Sequence, residues 1–225
     1  VMGKNLALNV RNHGFSVSGF SIDKPEVDAL AKYEDDKLKP CYTWEEFVDS
    51  LEKPRKILVQ IMAGDPVDQT IQKLIPLLDK GDIIIDGGNS NFHDTNRRYH
   101  ELKKHGLHFI GMGVSGGEEG ALNGPALMPG GDKEAYEEAA PILTAMAAKT
   151  EDGRACVSYI GPEGAGHYVK MVHNGMEYAI MQEISEVYDI MRKVAHKSNK
   201  EMADIFAEWD KGDLNAYLIE IASQV

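Results

Sequence analysis

Short, nearly continuous apolar runs alternate along this chain with longer stretches whose apolar residues recur every three or four positions. Residues 15–21 (FSVSGFS), 56–62 (KILVQIM), 82–86 (DIIID) and 108–114 (HFIGMGV) are strand-length, and apolar runs of this kind belong to strands buried on both faces. Residues 3–13, 44–51, 66–80 and 94–106 read as helices. In the third of these, positions 67, 71, 74, 75 and 78 are apolar, a helical period. Gly14 and Gly106 stand where helix stops are expected, and Pro25 suits the first turn of a helix reaching about Lys32. Strands alternating with helices predict an α/β fold, a Rossmann-like doubly wound parallel sheet.

Residues 115–131 (SGGEEGALNGPALMPGG) interrupt the rhythm. Their glycines, with Pro125 and Pro129, predict neither helix nor strand. A helix resumes over 132–149, and 156–161 (CVSYIG) reads as one last strand. Beyond Gly161 the pattern is helical: 163–196, about 200–209, and a third helix from Leu214. The expected organisation is a dinucleotide-binding domain over 1–162, a joint at GPEGAG, and the start of an all-helical domain over 163–225. The first helix opens at Gly3 with no strand before it. The expectation is that the first strand and most of a glycine-rich fingerprint lie upstream of Val1.

The net charge of −12 over 225 residues disfavours nucleic acid and anionic membranes as partners, and leaves room for a local basic pocket. No apolar run approaches the roughly 20 residues that span a bilayer. Cys41 and Cys156 are the two cysteines, and the eight histidines form no HxxxH or HExxH pair. Neither a disulfide framework nor a metal is expected, and a reducing, cytoplasmic setting fits.

Doubly wound sheets bind nucleotides at the carboxyl ends of their strands. Gly3 would then close a phosphate-binding turn, although alone it is equally an ordinary helix start. Asp23 lies 20 positions further on, where an acidic residue can bond ribose hydroxyls. A surface-turn aspartate reads the same. MAGD (62–65) and DGGNS (86–90) each follow an apolar strand, and glycines there let a ligand approach the backbone. Asn89 is either a ligand contact or a turn asparagine.

KMVHNGMEY (170–178) gathers proton-handling groups within nine residues. Seven helical positions turn through about 700°, so Lys170 and Glu177 share a face about 10.5 Å apart along the axis, with Asn174 between them. That separation is too long for the two to neutralise each other. Gly175 costs about 1 kcal/mol in a helix relative to alanine, which suggests close approach by a backbone or a ligand. A solvated helix face with a packing glycine is the plainer alternative. The functional reading is a general base and a general acid at opposite ends of a small substrate, and it requires the lysine to be buried or near another cation.

At these residues the chain resembles the decarboxylating 6-phosphogluconate dehydrogenase family. GDIIIDGGNS (81–90), GVSGGEEGALNGPALMPGG (113–131), GHYVKMVHNGMEY (166–178) and EWDKGDLNAYLIEI (208–221) carry the likeness. The resemblance implies a pentose phosphate pathway enzyme acting on 6-phosphogluconate, homodimeric, with a larger helical region and a tail that completes the phosphate site. The chain stops early in that region, so by itself it is expected to turn over poorly. The resemblance makes Lys170 the base that takes the 3-hydroxyl proton and Glu177 the acid that protonates C1 of the product. It places Asn174 and His173 on the reacting hydroxyl. Asn89, Ser115, Gly116 and Gly117 would hold the sugar acid, and Tyr178 its phosphate. Gly3, Ser21, Ile22, Asp23, Met62, Ala63 and Asn89 would face the dinucleotide.

Most family members use NADP and carry Asn-Arg-Thr where this chain has Ser21-Ile22-Asp23, and a lysine where it has Met62. Two cations are gone and a carboxylate has arrived, so NAD is the expected cofactor, with NADP second. Charge-assisted bonds contribute about 1.5–3 kcal/mol each. Two other functions stay open: a non-decarboxylating β-hydroxyacid dehydrogenase, which has no need of a second proton donor, and a non-catalytic dinucleotide-binding protein.

Overall fold

The computed structural model describes residues 1–224. The chain divides into two compact units, Val1–Met171 and Val172–Val225.

The first unit is built on two sheets. Strands β1 (Val17–Phe20) and β2 (Leu38–Cys41) pair in parallel. Strands β3 (Lys56–Val59), β4 (Ile83–Asp86), β5 (His108–Ser115) and β6 (Ala126–Gly131) lie side by side in that order. All are parallel except β6, which runs against β5. The connecting helices are α1 (Met2–Asn12), α2 (Lys24–Ala31), α3 (Trp44–Asp49), α4 (Asp65–Leu74), α5 (Phe92–Lys104), α6 (Gly117–Asn123) and α7 (Lys133–Met146).

Both faces of the larger sheet are covered, because side chains alternate along each strand. Ile83 and Ile85 pack with Ile110, Met112 and, from α1 and α7, Leu6, Leu143 and Met146. Ile84 and Phe109 face the other way, onto Ile71 and Leu74 of α4 and Leu102 of α5. Buried Asn9 ties α1 to this core by donating to the Ala121 carbonyl at 3.1 Å and the Met146 carbonyl at 3.0 Å.

Four expectations need correction. Strand β2 was not foreseen: Pro40 interrupts its pattern, but its ladder runs only to β1, and such an edge tolerates proline. Residues 115–131 are not structureless but form α6 and β6. Their glycines serve close packing, since a Cβ on Gly131 would collide with the Phe109 carbonyl and one on Gly130 with the Gly166 nitrogen. Residues 156–161 form only isolated bridges, Leu127 to Val157 and Gly130 to Gly161. Between those bridges stands Pro129, which has no N–H to continue a ladder. The helix read over 66–80 ends at Leu74 and gives way to a single 3₁₀ turn, Ile75–Leu77, because Pro76 cannot extend an α-helix.

Helix α8 (Ala165–Lys193) begins in the first unit and continues into the second. The second unit adds α9 (Asn199–Trp209) and α10 (Tyr217–Ala222). Ser198 and Glu201 form a reciprocal capping box at the start of α9. Met191, Met202, Phe206 and Ile219 supply the small core.

Candidate active site

Parallel pairing sets Asp86 opposite Gly111, so the carboxyl ends of β4 and β5 are neighbours. Asn89 is exposed in the loop after β4, between buried Gly88 and Ser90. The shape of that loop comes from Asp86, whose carboxylate accepts from the Gly88 N–H at 3.1 Å and from the Ser90 hydroxyl at 2.6 Å. Asn91 then caps α5 by accepting from the His93 N–H at 2.9 Å. Met62 and Ala63 lie in the loop after β3, which abuts this one: a Cβ on Gly88 would stand 3.0 Å from the Ile61 carbonyl oxygen. Gly3, exposed at the start of α1, is near the same loop, its notional Cβ 3.8 Å from that of Gln60.

A cavity of about 760 Å³ opens beyond the end of β1, lined among others by Phe20, Ser21, Ile22, Lys24, Tyr42 and Trp44. Phe20 and Trp44 rings lie 4.5 Å apart and form its aromatic wall. The Ser21 hydroxyl donates to Glu26 at 3.0 Å and accepts from the Asp23 N–H at 3.1 Å. The Tyr42 hydroxyl donates to Asp28 at 2.9 Å. Asp23 precedes α2 without capping it through its side chain. Ile22 is 87% exposed and Met62 76% exposed. An aromatic slot at the carboxyl edge of a parallel strand pair suits part of a dinucleotide.

Lys170 is only 7% exposed. Glycines create its seat. Gly111 and Gly113 alternate on one face of β5, and Gly166 opens α8; a Cβ on Gly166 would collide with the Gly111 and Met128 carbonyls. Helix and strand can therefore meet backbone to backbone. A Cβ on Gly113 would lie 2.5 Å from that of Lys170. Two residues further along, β5 ends at Ser115, and Gly116 and Gly117 follow with φ of 131° and 60°. The buried lysine is thus placed beside the strand that leads into the predicted sugar-acid loop.

In the second unit, His173 Nδ1 stands 3.2 Å from Asn174 Oδ1 and 3.8 Å from Glu177 Oε2. These side chains are about one-third exposed, 35% for His173 and 38% for Glu177. Tyr178 is exposed. A Cβ on Gly175 would meet nothing within 4 Å among the described residues, so the packing role for this glycine finds no neighbour there.

The sequence reading passed over a buried polar group behind the loops. His167 is 2% exposed, with Nδ1 2.6 Å from the Thr95 hydroxyl. Burial pushes its pKa down, against the pull of the Asp86 carboxylate and of the Asp86 and Gly88 backbone. Among the described residues its Nε2 has no partner at full hydrogen-bond distance and angle. Arg98 and Asp68 belong to the same region. The available signal was a histidine three positions before Lys170, on the same helical face. Among the described residues no group of three or more His, Cys, Asp or Glu is placed to hold a metal ion, and no helix is long and apolar enough to cross a membrane.

Residues 1–161 match the family model for the NAD binding domain of 6-phosphogluconate dehydrogenase, and residues 166–225 match that for the 6-phosphogluconate dehydrogenase C-terminal domain. A decarboxylating 6-phosphogluconate dehydrogenase of Pseudescherichia vulneris is 56% identical over 100% of this chain and 51% of its own length. One of Staphylococcus aureus is 55% identical over 100% of this chain and 48% of its own. The chain spans about half the length of the curated relatives it matches. The solved 6-phosphogluconate dehydrogenase of Plasmodium falciparum, studied with NADP+ and with 6-phosphogluconate, superposes with a TM-score of 0.94 at 40% identity, covering 100% of this chain and 48% of that one. A Mycobacterium tuberculosis 3-hydroxyisobutyrate dehydrogenase shares the fold, with a TM-score of 0.79 at 21% identity over 100% of this chain and 72% of that one.

Proposed function

The chain belongs to the 6-phosphogluconate dehydrogenase family, and from that premise we propose that the full-length protein oxidises and decarboxylates 6-phosphogluconate to ribulose 5-phosphate and CO2, as in the pentose phosphate pathway, with NAD preferred over NADP. The observation that carries the proposal is Lys170: a lysine 7% exposed, held against Gly113 at the head of α8. Burial is one of the two conditions that can make a lysine a base, the other being a neighbouring cation.

When bound, the dinucleotide supplies the hydride acceptor. Lys170 takes the proton of the 3-hydroxyl as hydride leaves C3. Its ammonium then polarises the 3-keto oxygen, an electron sink that lets the β-keto acid lose CO2 and leave an enediol. Glu177 protonates the carbon that becomes C1 of ribulose 5-phosphate. His173 and Asn174 hold the reacting hydroxyl, and the 3.8 Å approach of His173 to Glu177 supports a shared network at that end. Asn89, Ser115, Gly116 and Gly117 hold the sugar acid, and Tyr178 its phosphate. Gly3, Ser21, Ile22, Asp23, Met62, Ala63 and Asn89 hold the dinucleotide.

The preference for NAD rests on charge. Neither Ile22 nor Met62 offers a cation to a 2′-phosphate. Asp28 and Glu45 line the cavity and outweigh Lys24, the single cation there among the described residues, and Ser21 already donates to Glu26. A ribose hydroxyl suits such a rim better than a phosphate does. A homodimer in the cytoplasm completes the proposal, supported by the family resemblance and the sparse cysteines.

The test is stoichiometry. Full-length protein given 6-phosphogluconate labelled at C1 should release one labelled CO2 per dinucleotide reduced. Reduction without CO2 would favour a plain β-hydroxyacid dehydrogenase.

A further inference from the structure

Arg98 is 2% exposed, although it lies on α5, the most polar of the helices in its unit. Its guanidinium reaches both loops at the carboxyl edge of the larger sheet. Toward the loop after β3, Nη2 donates to the Gly64 carbonyl at 3.0 Å. Toward the loop after β4, Nη1 donates to the Ser90 hydroxyl at 3.3 Å and lies 3.6 Å from the Asp86 carboxylate. Asp68 on α4 holds the fork bidentately, with Nε at 2.9 Å and Nη2 at 3.0 Å.

A planar guanidinium has donors in fixed directions. Bonding Gly64, Ser90 and Asp68 at once therefore fixes the spacing between the two loops. Met62 and Ala63 are on one loop, and Asn89 is on the other. Ser90 also donates to Asp86, whose other oxygen accepts from the Gly88 N–H, so the arginine's bonds reach both neighbours of Asn89, Ser90 directly and Gly88 through Asp86.

We infer that Arg98 is a positioning residue: pinned by Asp68, it sets the gap between the 62–64 and 86–90 loops and so holds Asn89 where dinucleotide and sugar acid are bound. This rests on the functional reading that these loops carry the two ligands. A purely structural buried ion pair is the competing role, and the same sheet supplies its control. Arg55, 7% exposed, joins β3 to β4 at their opposite ends through Asp82 at 2.7 Å, far along the strands from either loop.

The experiment uses the full-length protein and its Arg98→Met, Arg98→Lys, Asp68→Asn and Arg55→Met variants. Tm, dinucleotide Kd, and KM and kcat for 6-phosphogluconate are measured well below each Tm. Lost folding lowers the active fraction and leaves KM and Kd alone. The inference expects Arg98→Met to raise dinucleotide Kd and sugar-acid KM at least about tenfold, the scale of a misplaced contact. Arg98→Lys, which keeps charge but loses the fork, falls between, and Asp68→Asn moves in the same direction. Arg55→Met lowers Tm with Kd and KM within twofold of the parent. Unchanged Kd and KM in the folded Arg98 and Asp68 variants overturn the inference, as does an equal rise in Arg55→Met. If the parent binds dinucleotide but does not decarboxylate, the functional reading has failed, and the Kd series still decides the role of Arg98. A parent that binds no dinucleotide overturns both.

Discussion

Lys170 and Gly113 occupy one another's space: the lysine's Cβ and Cγ lie where a side chain at 113 would have to go, 2.5 and 3.0 Å from a Cβ built there. Gly113→Ala should push Lys170 outward or spread α8 from β5. The expected result is a loss of about 1–3 kcal/mol in stability from overpacking and a fall in kcat of roughly 10–100-fold from the displaced amine. Denaturant titration and steady-state kinetics on the full-length protein separate the two effects. A stability loss with kcat intact would mean that the position of the lysine is not set here.

The ion pairs of Asp68 make stability depend on acid. Hydrogen bonds from Arg98, then Arg97, lower its pKa from the ordinary 3.8 to about 2, against a desolvation cost. A depressed carboxyl contributes stability above its unfolded pKa and loses it as pH falls toward the folded one. The Tm gap between the parent and Asp68→Asn should therefore be constant above about pH 5 and close between about pH 4 and 2. A gap unchanged at pH 2.5 would contradict this.

Cofactor choice should respond to restoring the missing cations. Ile22→Arg and Met62→Lys, each at a strongly exposed position, are expected to raise kcat/KM for NADP relative to NAD. The scale is about ten- to 150-fold per contact, if each gains a charge-assisted bond of about 1.5–3 kcal/mol. The unmodified protein should favour NAD, and a strong NADP preference in it would refute the charge argument.

Gly175 offers a cleaner question, because nothing among the described residues stands within 4 Å of where its Cβ would be. Gly175→Ala should stabilise α8 by about 1 kcal/mol. If the open space receives substrate, KM for 6-phosphogluconate should rise severalfold at the same time. A stabilised variant with unaltered KM would remove any ligand role from this position.

These positions differ in how visible they were without coordinates. Ile83, Ile84 and Ile85 announce a doubly covered strand, because only burial on both faces accommodates such a run. The helical spacing of Lys170, Asn174 and Glu177 needs no tertiary information. Strand β2 was hidden because Lys39 and Pro40 break its pattern, while its position at an edge makes proline harmless. Residues 115–131 misled because a run of glycines reads as loop even where it serves close backbone packing. Arg98 could not be told from Arg97 by periodicity or charge, yet its side chain is 2% exposed against 54% for its neighbour. The difference lies in Asp68, Ser90 and the Gly64 carbonyl, which the fold alone brings to it.

The central claim is that a buried lysine is the base. Lys170→Met in the full-length protein, followed through a single turnover with saturating 6-phosphogluconate and NAD, addresses it most directly. The account predicts that dinucleotide reduction and CO2 release both slow by about 10²–10⁴-fold, the usual contribution of a positioned acid–base group, while dinucleotide Kd stays within twofold. Turnover within tenfold of the parent would show that the proton leaves the 3-hydroxyl by another route.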